Sequence, residues 1–151
     1  MTVSTTRIYR FAASHRLHTS ALSDAENARV FGKCNNPYGH GHDYELRVTV
    51  QGNVDALSGL IVPPNELDQY VQSTVLRRVA NRNLNLDVAE FQELIPTTEN
   101  LTAVVANLLE SGWTLQFGTA GPRLARVHIQ ETPRNGFGLI VATAGETQES
   151  L

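Results

Sequence analysis

The chain has 151 residues, with 41% hydrophobic and 18% charged residues, a formal net charge of −3 and one cysteine. These values fit one globular domain over residues 1–151 and exclude disordered and membrane-spanning classes, and without a basic cluster nucleic acid is not an expected partner. The short polar N-terminus resembles no signal peptide and Cys34 has no internal disulfide partner, which predicts a cytoplasmic protein without membrane contact.

The first half of the chain contains two predicted strands. The strand at 7–15 places Tyr9, Phe11 and Ala13 on one face, with His15 next in line. After a polar stretch and a Gly/Asn/Pro-rich loop at 32–41, the strand at 43–51 alternates apolar and polar residues along its whole length. Residues 1–6 are expected to form a loose tail before the first strand.

Two amphipathic helices and a closing hairpin complete the chain. Pro63 and Pro64 open the first helix, and the second begins after Pro96 with Thr97 or Thr98 as its N-cap. Strands at 125–131 and 137–142 form the hairpin, and residues 145–151 are expected to be a loose tail. This order predicts an α+β fold, a four-stranded antiparallel sheet with two helices on one face.

The sharpest local signal is the pair His40 and His42, which one glycine separates. In an extended chain, residues two apart project from the same face, so both imidazoles can reach one ion. His15 ends the first strand, and an adjacent strand would bring it alongside. Three neutral nitrogens hold Zn2+ and leave a fourth position open for a Lewis-acid role. The alternative is a loop that is rich in histidine for turn or hydrogen-bonding reasons.

Two further residues have both a chemical and a structural interpretation. Beside zinc and Lys33, the thiolate of Cys34 would be favoured and could act as a general base. The alternative is a small buried hydrophobic residue. Glu131 falls where an apolar residue is expected on a strand face, so it needs a partner. That partner is either a guanidine-like ligand edge, bound by two hydrogen bonds, or Arg134 at an exposed strand end.

The adjacent residues Thr97 and Thr98 also have two interpretations. With Glu99 they are typical of a helix N-terminus, where a hydroxyl caps the first turn and an acid faces the helix dipole. The same backbone donors could hold a ligand, and the residues alone leave both interpretations open.

Four stretches together resemble the 6-pyruvoyltetrahydropterin synthase family, which includes the related 6-carboxytetrahydropterin synthases. They are 11–17 (FAASHRL), 31–42 (FGKCNNPYGHGH), 97–100 (TTEN) and 131–132 (ET), in order over nearly the whole chain. The resemblance implies the tunnelling fold (T-fold), in which subunits form trimers around a barrel and usually pair into hexamers. It therefore implies a homo-oligomer, a trimer or hexamer, with active sites at subunit interfaces.

The resemblance also implies roles for the site residues. Zinc would be bound by three histidines, His15, His40 and His42. Cys34 would be the base that moves side-chain protons of 7,8-dihydroneopterin triphosphate. Glu131 would anchor the guanidine-like edge of the pterin, helped by Thr97 and Thr98. The implied reaction is loss of triphosphate with an internal redox shuffle of the side chain, a step in tetrahydrobiopterin biosynthesis. The Cys-x5-His-x-His spacing resembles the pyruvoyl-forming branch.

Two positions depart from the family pattern. An Asp-His pair usually precedes the Asn-Leu after the first helix and relays protons together with the cysteine, whereas this chain has Ala80-Asn81. Neither of these side chains can shuttle a proton at neutral pH. The smaller departure is Pro63, where the family often has Asp or Asn.

The sequence therefore leaves two main functional hypotheses, which Ala80-Asn81 separates. One is a zinc-dependent pterin lyase with reduced or diverted activity. The other is a pterin-binding paralogue with impaired or altered chemistry. A purely structural zinc domain is disfavoured, because structural sites usually have four protein ligands.

Overall fold

A five-stranded sheet forms the body of the computed structural model, which describes residues 2–141. The strands are β1 Thr2–His15, β2 His40–Asn53, β3 Arg82–Asn83, β4 Arg123–Thr132 and β5 Asn135–Ile140. Their spatial order is β3-β1-β2-β4-β5, and every neighbouring pair is antiparallel except β3 and β1, which are parallel. Because β1 and β2 pair over their whole lengths, His15 at the end of β1 lies beside His40 at the start of β2.

The helices are α1 Asp24–Phe31, α2 Pro64–Val71, α3 Arg77–Val79, α4 Leu84–Asp87 and α5 Thr98–Phe117, with 3-10 turns at Gly32–Asn35 and Ala89–Phe91. A π-helical segment, Gln72–Leu76, joins α2 to α3. Apolar residues recur every four positions along this continuous helix, and all are fully buried: Leu67, Val71, Val75 and Val79. A four-residue repeat drifts around a regular helix of 3.6 residues per turn, and the wider π turn compensates for that drift.

The core lies against one face of the sheet. Alternate residues of β2 point into it, and each is 1% exposed or less: Tyr44, Leu46, Val48 and Val50. Burial of each side chain of this size contributes about 1.5–3 kcal/mol. The other face of the same strands carries polar groups, including Glu45, which pairs with Arg10 and Arg47. None of the helices in residues 2–141 combines the length and hydropathy that crossing a bilayer requires.

Most predicted elements are confirmed, and the structure adds an extended β1, a fifth strand and two further helices, α1 and α4. The tail expected at 1–6 is wrong for its described residues, because Thr2–Thr6 pair with the far end of β2 and extend β1. The polar stretch after β1 contains α1, which no apolar periodicity indicated. The predicted four-stranded sheet is present and gains a fifth strand, β3, of two residues. The tail expected at 145–151 lies outside the described residues.

Candidate metal centre

Three histidines meet where β1 ends and β2 begins. His15 pairs directly with His40 in the strand register, and His42 lies two residues further along β2. Side chains two apart on a strand share a face, so all three rings converge. Nε2 of His40 lies 3.2 Å from Nε2 of His15 and 3.2 Å from Nε2 of His42. The structure thus brings together the three predicted metal ligands, and His40 lies inside β2 rather than in the preceding loop.

The loop that leads into β2 depends on Gly39. Its φ is +71°, in the left-handed region. A Cβ at this position would lie 2.8 Å from the backbone oxygen of His15. Glycine alone tolerates both the conformation and this close approach, so it allows the loop to place His40 opposite His15.

A backbone hydrogen bond determines the tautomer of His15. Its Nδ1 lies 2.9 Å from the carbonyl oxygen of Pro96. Because a carbonyl oxygen can only accept, Nδ1 carries the proton and Nε2 presents a lone pair to the other rings. Burial lowers the pKa of His15 and also that of His40, which favours the neutral form of both rings. Pro96 was not predicted as a site residue.

The three Nε2 atoms fit one zinc ion. With zinc–nitrogen bonds of about 2.0–2.1 Å, the nitrogens of a tetrahedral site lie about 3.3–3.4 Å apart, close to the 3.2 Å of the two pairs that include His40. Hydrogen bonds among the rings do not explain both contacts. If His42 Nε2 carries a proton, the Nε2 lone pairs of His15 and His40 face each other without a hydrogen atom between them. If His40 Nε2 carries the proton instead, that single N–H can point at only one of its two neighbours. The donor set therefore matches a cation, and Pro96 orients His15 for it.

Cys34 joins the histidine cluster. Its sulfur and the ligating nitrogens of the three histidines all lie within 4.8 Å of one another. The residue belongs to the 3-10 turn Gly32–Asn35, and its carbonyl accepts a 2.8 Å hydrogen bond from the Leu17 N–H. Burial, and next the negative charge of Glu131, raise the pKa of Cys34. The neighbouring protein groups thus favour the neutral thiol, and a cation would be needed to favour the thiolate.

Glu131 lies beside the same histidines, with 9% of its side chain exposed. Its Oε1 is 3.6 Å from His42 Nε2 and 3.8 Å from His15 Nε2, while Asn135 donates a 2.8 Å hydrogen bond to Oε2. Because burial favours the neutral form of His15, its contact with Glu131 does not count as an ion pair. Arg134, the alternative partner, forms no ion pair with Glu131 among the described residues. The carboxylate therefore faces a position suited to a positively charged group.

Thr97 and Thr98 begin α5 next to Pro96, the partner of His15. The Thr97 hydroxyl accepts a 3.2 Å hydrogen bond from the Asn100 N–H and caps the helix. Thr98 is 4% exposed. The capping interpretation of Thr97 is confirmed. A role for the two threonines in holding a ligand stays a prediction.

The departing positions, Ala80 and Asn81, follow α3. Ala80 packs half-buried against the core. Asn81 is exposed, has a φ of +57° and donates its N–H to the Ala12 carbonyl at 2.6 Å. It lines a cavity of about 430 Å³ together with His42 and Arg82. Asn81 thus lies at a cavity beside the strand that carries two of the clustered histidines.

The chain is similar to known proteins over most of its length. The protein-family model described as 6-pyruvoyl tetrahydropterin synthase matches residues 4–139. The human protein named 6-pyruvoyl tetrahydrobiopterin synthase is 38% identical over 136 residues, covering 90% of this chain and 87% of its own. The Drosophila melanogaster protein of that name is 40% identical over 131 residues, covering 86% of this chain and 74% of its own.

A solved structure also resembles most of the chain. It is that of Caenorhabditis elegans 6-pyruvoyl tetrahydropterin synthase, with a TM-score of 0.83 and 39% identity, covering 94% of this chain and 97% of that one. The expected α+β tunnelling fold is thereby confirmed.

Proposed function

The chain belongs to the 6-pyruvoyl tetrahydropterin synthase family, and on that premise we propose that it is a zinc-dependent pterin lyase. It would eliminate triphosphate from 7,8-dihydroneopterin triphosphate and isomerise the side chain, a step in tetrahydrobiopterin biosynthesis. The observation that carries the proposal is the cluster of three histidine nitrogens, in which His40 lies 3.2 Å from each of the other two and Cys34 lies within 4.8 Å. The free thiol of Cys34 fits a reducing compartment, and we place the protein in the cytoplasm.

Each site residue has a task in this proposal. Zinc on the three histidines supplies a Lewis acid for the hydroxyl and carbonyl groups of the substrate side chain. Cys34, beside that cation, removes a proton from the side chain of the substrate. Glu131 accepts two hydrogen bonds from the guanidine-like edge of the pterin, and the start of α5 at Thr97 and Thr98 lies against that edge. The closeness of Glu131 to His42, a proposed metal ligand, supports an anchor and a metal site that act on one small molecule.

A second function, pterin binding with impaired or altered chemistry, is favoured by one observation. Ala80 and Asn81 carry no group that gives or takes a proton at neutral pH. Loss of a general acid or base typically lowers a rate by about 10²–10⁴-fold, which leaves a slow but measurable enzyme. The lyase remains the first proposal because the histidine cluster, Cys34 and Glu131 are all in place.

We also propose that the chain forms a homo-oligomer, a trimer or hexamer. β5 lies at one edge of the sheet and exposes Ile140 by 80% and Phe137 by 39%. At the other edge, β3 pairs with only two residues of β1. Exposed edges present unpaired N–H and C=O groups that pair readily with another strand. Edge-to-edge pairing of copies would cover both edges and bring substrate sites to the interfaces.

Incubation of the zinc-loaded protein with 7,8-dihydroneopterin triphosphate, with products identified by mass, tests the function. We expect loss of triphosphate and a pyruvoyl product at a reduced rate, accompanied by partial products such as side-chain isomers. His42→Ala is the matched control, because it should lose the metal and the reaction together. Bound zinc and bound pterin with unchanged substrate would contradict the lyase and favour the pterin-binding paralogue.

A further inference from the structure

Four donor atoms, not three, meet at the histidine cluster. In a tetrahedron with a zinc–sulfur bond of about 2.3 Å and zinc–nitrogen bonds of about 2.0–2.1 Å, sulfur lies about 3.6 Å from each nitrogen. The sulfur of Cys34 already lies within 4.8 Å of each of the three nitrogens. The remaining shift is on the order of 1 Å, and rotation about χ1 moves a cysteine sulfur by about 3 Å between staggered rotamers. The sulfur can therefore reach a fourth ligand position without movement of the backbone.

Glu131 is the competing donor for that position. Its Oε1 approaches two of the histidines, at 3.6 Å from His42 and 3.8 Å from His15, and Asn135 binds its other oxygen. Cys34 lies in one group with all three histidine nitrogens. A soft thiolate also suits zinc better than a hydrogen-bonded carboxylate does. The grouping of Cys34 with all three nitrogens, together with the softness of its sulfur, thus favours Cys34 and leaves Glu131 for a cationic edge of the ligand.

Cys34 is also the donor that can most easily leave. The three histidines lie on the paired strands β1 and β2, and His15 is fully buried and held by Pro96. Cys34 lies in a four-residue 3-10 turn and is partly exposed. Three fixed ligands and one that can rotate away meet the requirement of a catalytic site, where one position must open to the substrate.

We propose that the Cys34 thiolate is the fourth metal ligand of the resting protein and leaves when the side-chain hydroxyls of a pterin enter. The inference rests on the proposed function, since it takes the zinc site as given. On closing the site, the thiol gives its proton to the solvent and the sulfur donates a lone pair to the ion. On opening, Cys34 would rotate away from the ion, and its thiolate would then lie beside the substrate. No electron is transferred in either direction, and the base is deprotonated before the substrate arrives.

Cobalt(II) in place of zinc tests the ligand directly. A thiolate bound to cobalt(II) gives a near-ultraviolet charge-transfer band that imidazole and carboxylate ligands do not give. The chain has one cysteine, so any such band belongs to Cys34. We expect the band in the wild type, its loss in Cys34→Ser with one cobalt per chain retained, and its persistence in Glu131→Gln. Bound cobalt without the band overturns the inference and leaves the metal site standing, whereas failure to bind cobalt overturns both.

Neopterin, which has the pterin ring and the side-chain hydroxyls without the triphosphate, tests the displacement. Titration of the cobalt protein with neopterin should remove the charge-transfer band, and removal of the neopterin by dialysis should restore it. Pterin fluorescence measures binding independently of the band. A band that persists at saturating neopterin would show a permanently closed site and overturn the proposed opening.

Discussion

Replacement of Glu131 by glutamine tests whether Glu131 anchors the pterin or is a strand-end residue without a role in binding. The carboxylate has 9% of its side chain exposed, lies 3.6 Å from His42 Nε2 and is oriented by Asn135. A guanidine-like edge would give it two parallel charge-assisted hydrogen bonds. Glu131→Gln keeps the side-chain volume and one acceptor oxygen. Its NH2 group replaces the other oxygen and cannot accept a hydrogen bond from the ligand. We therefore expect strong loss of pterin affinity in a protein that still folds.

The size of the effect follows from the bonds removed. A hydrogen bond to a charged group contributes about 1.5–3 kcal/mol. Loss of one such bond weakens binding about 10- to 150-fold, since each 1.4 kcal/mol is roughly a factor of ten. The fold should be unaffected, because the residue lies near the end of β4 and its described partners, Asn135 and the two histidines, are groups that glutamine can also contact.

Isothermal titration calorimetry with neopterin measures the change, on protein whose zinc content and thermal unfolding match the wild type. Arg134→Ala is the matched control, because Arg134 is exposed in the same turn and forms no ion pair with Glu131 among the described residues. Its pterin affinity should stay within about twofold of the wild type, as expected for an exposed charge. Unchanged affinity in folded, zinc-loaded Glu131→Gln would refute the anchor.

The remaining predictions concern the metal, the oligomer and the proton relay. Elemental analysis should find about one zinc ion per chain in the wild type and none in His42→Ala. A zinc content in that variant equal to that of the wild type would contradict the metal centre. Light scattering at micromolar concentration should show trimers or hexamers, whereas a clean monomer would argue against interface sites. Ala80→Asp with Asn81→His should raise turnover at least about tenfold, and histidine tolerates the positive φ at 81. No gain in a folded, zinc-loaded double variant would refute the relay argument, as would wild-type turnover equal to that of an intact family enzyme.

Elements with a strong local pattern were predictable from the sequence. The alternation at 43–51 correctly identified the buried face of β2, and Thr97 caps α5 as its place after Pro96 indicates. α1 was missed because seven of its eight residues remain unburied and its apolar pattern is weak. The signal that could have revealed it is the capping box between Ser23 and Glu26. β3 was missed because its two residues are a strand only through their pairing with β1.

The partners of the site residues were not predictable in the same way. His15 and Pro96 are 81 positions apart, and their hydrogen bond exists only because α5 begins beside the end of β1. Asn135 reaches Glu131 across the turn between β4 and β5, which depends on the irregular register of that hairpin. Neither contact leaves a pattern in the sequence, because proline and asparagine near turns are common for local reasons.

By itself, the sequence determined which residues can bind a metal and that His40 and His42 share a face, because side-chain alternation is a property of the local backbone. Only the tertiary structure decided that the Nε2 atoms of His15 and His42 each lie 3.2 Å from that of His40, with a sulfur nearby. That distance depends on the register of β1 against β2, which pairing along all 14 residues of β1 sets. A slip of one residue would turn the histidine pair to the opposite face from His15 and separate the ligands.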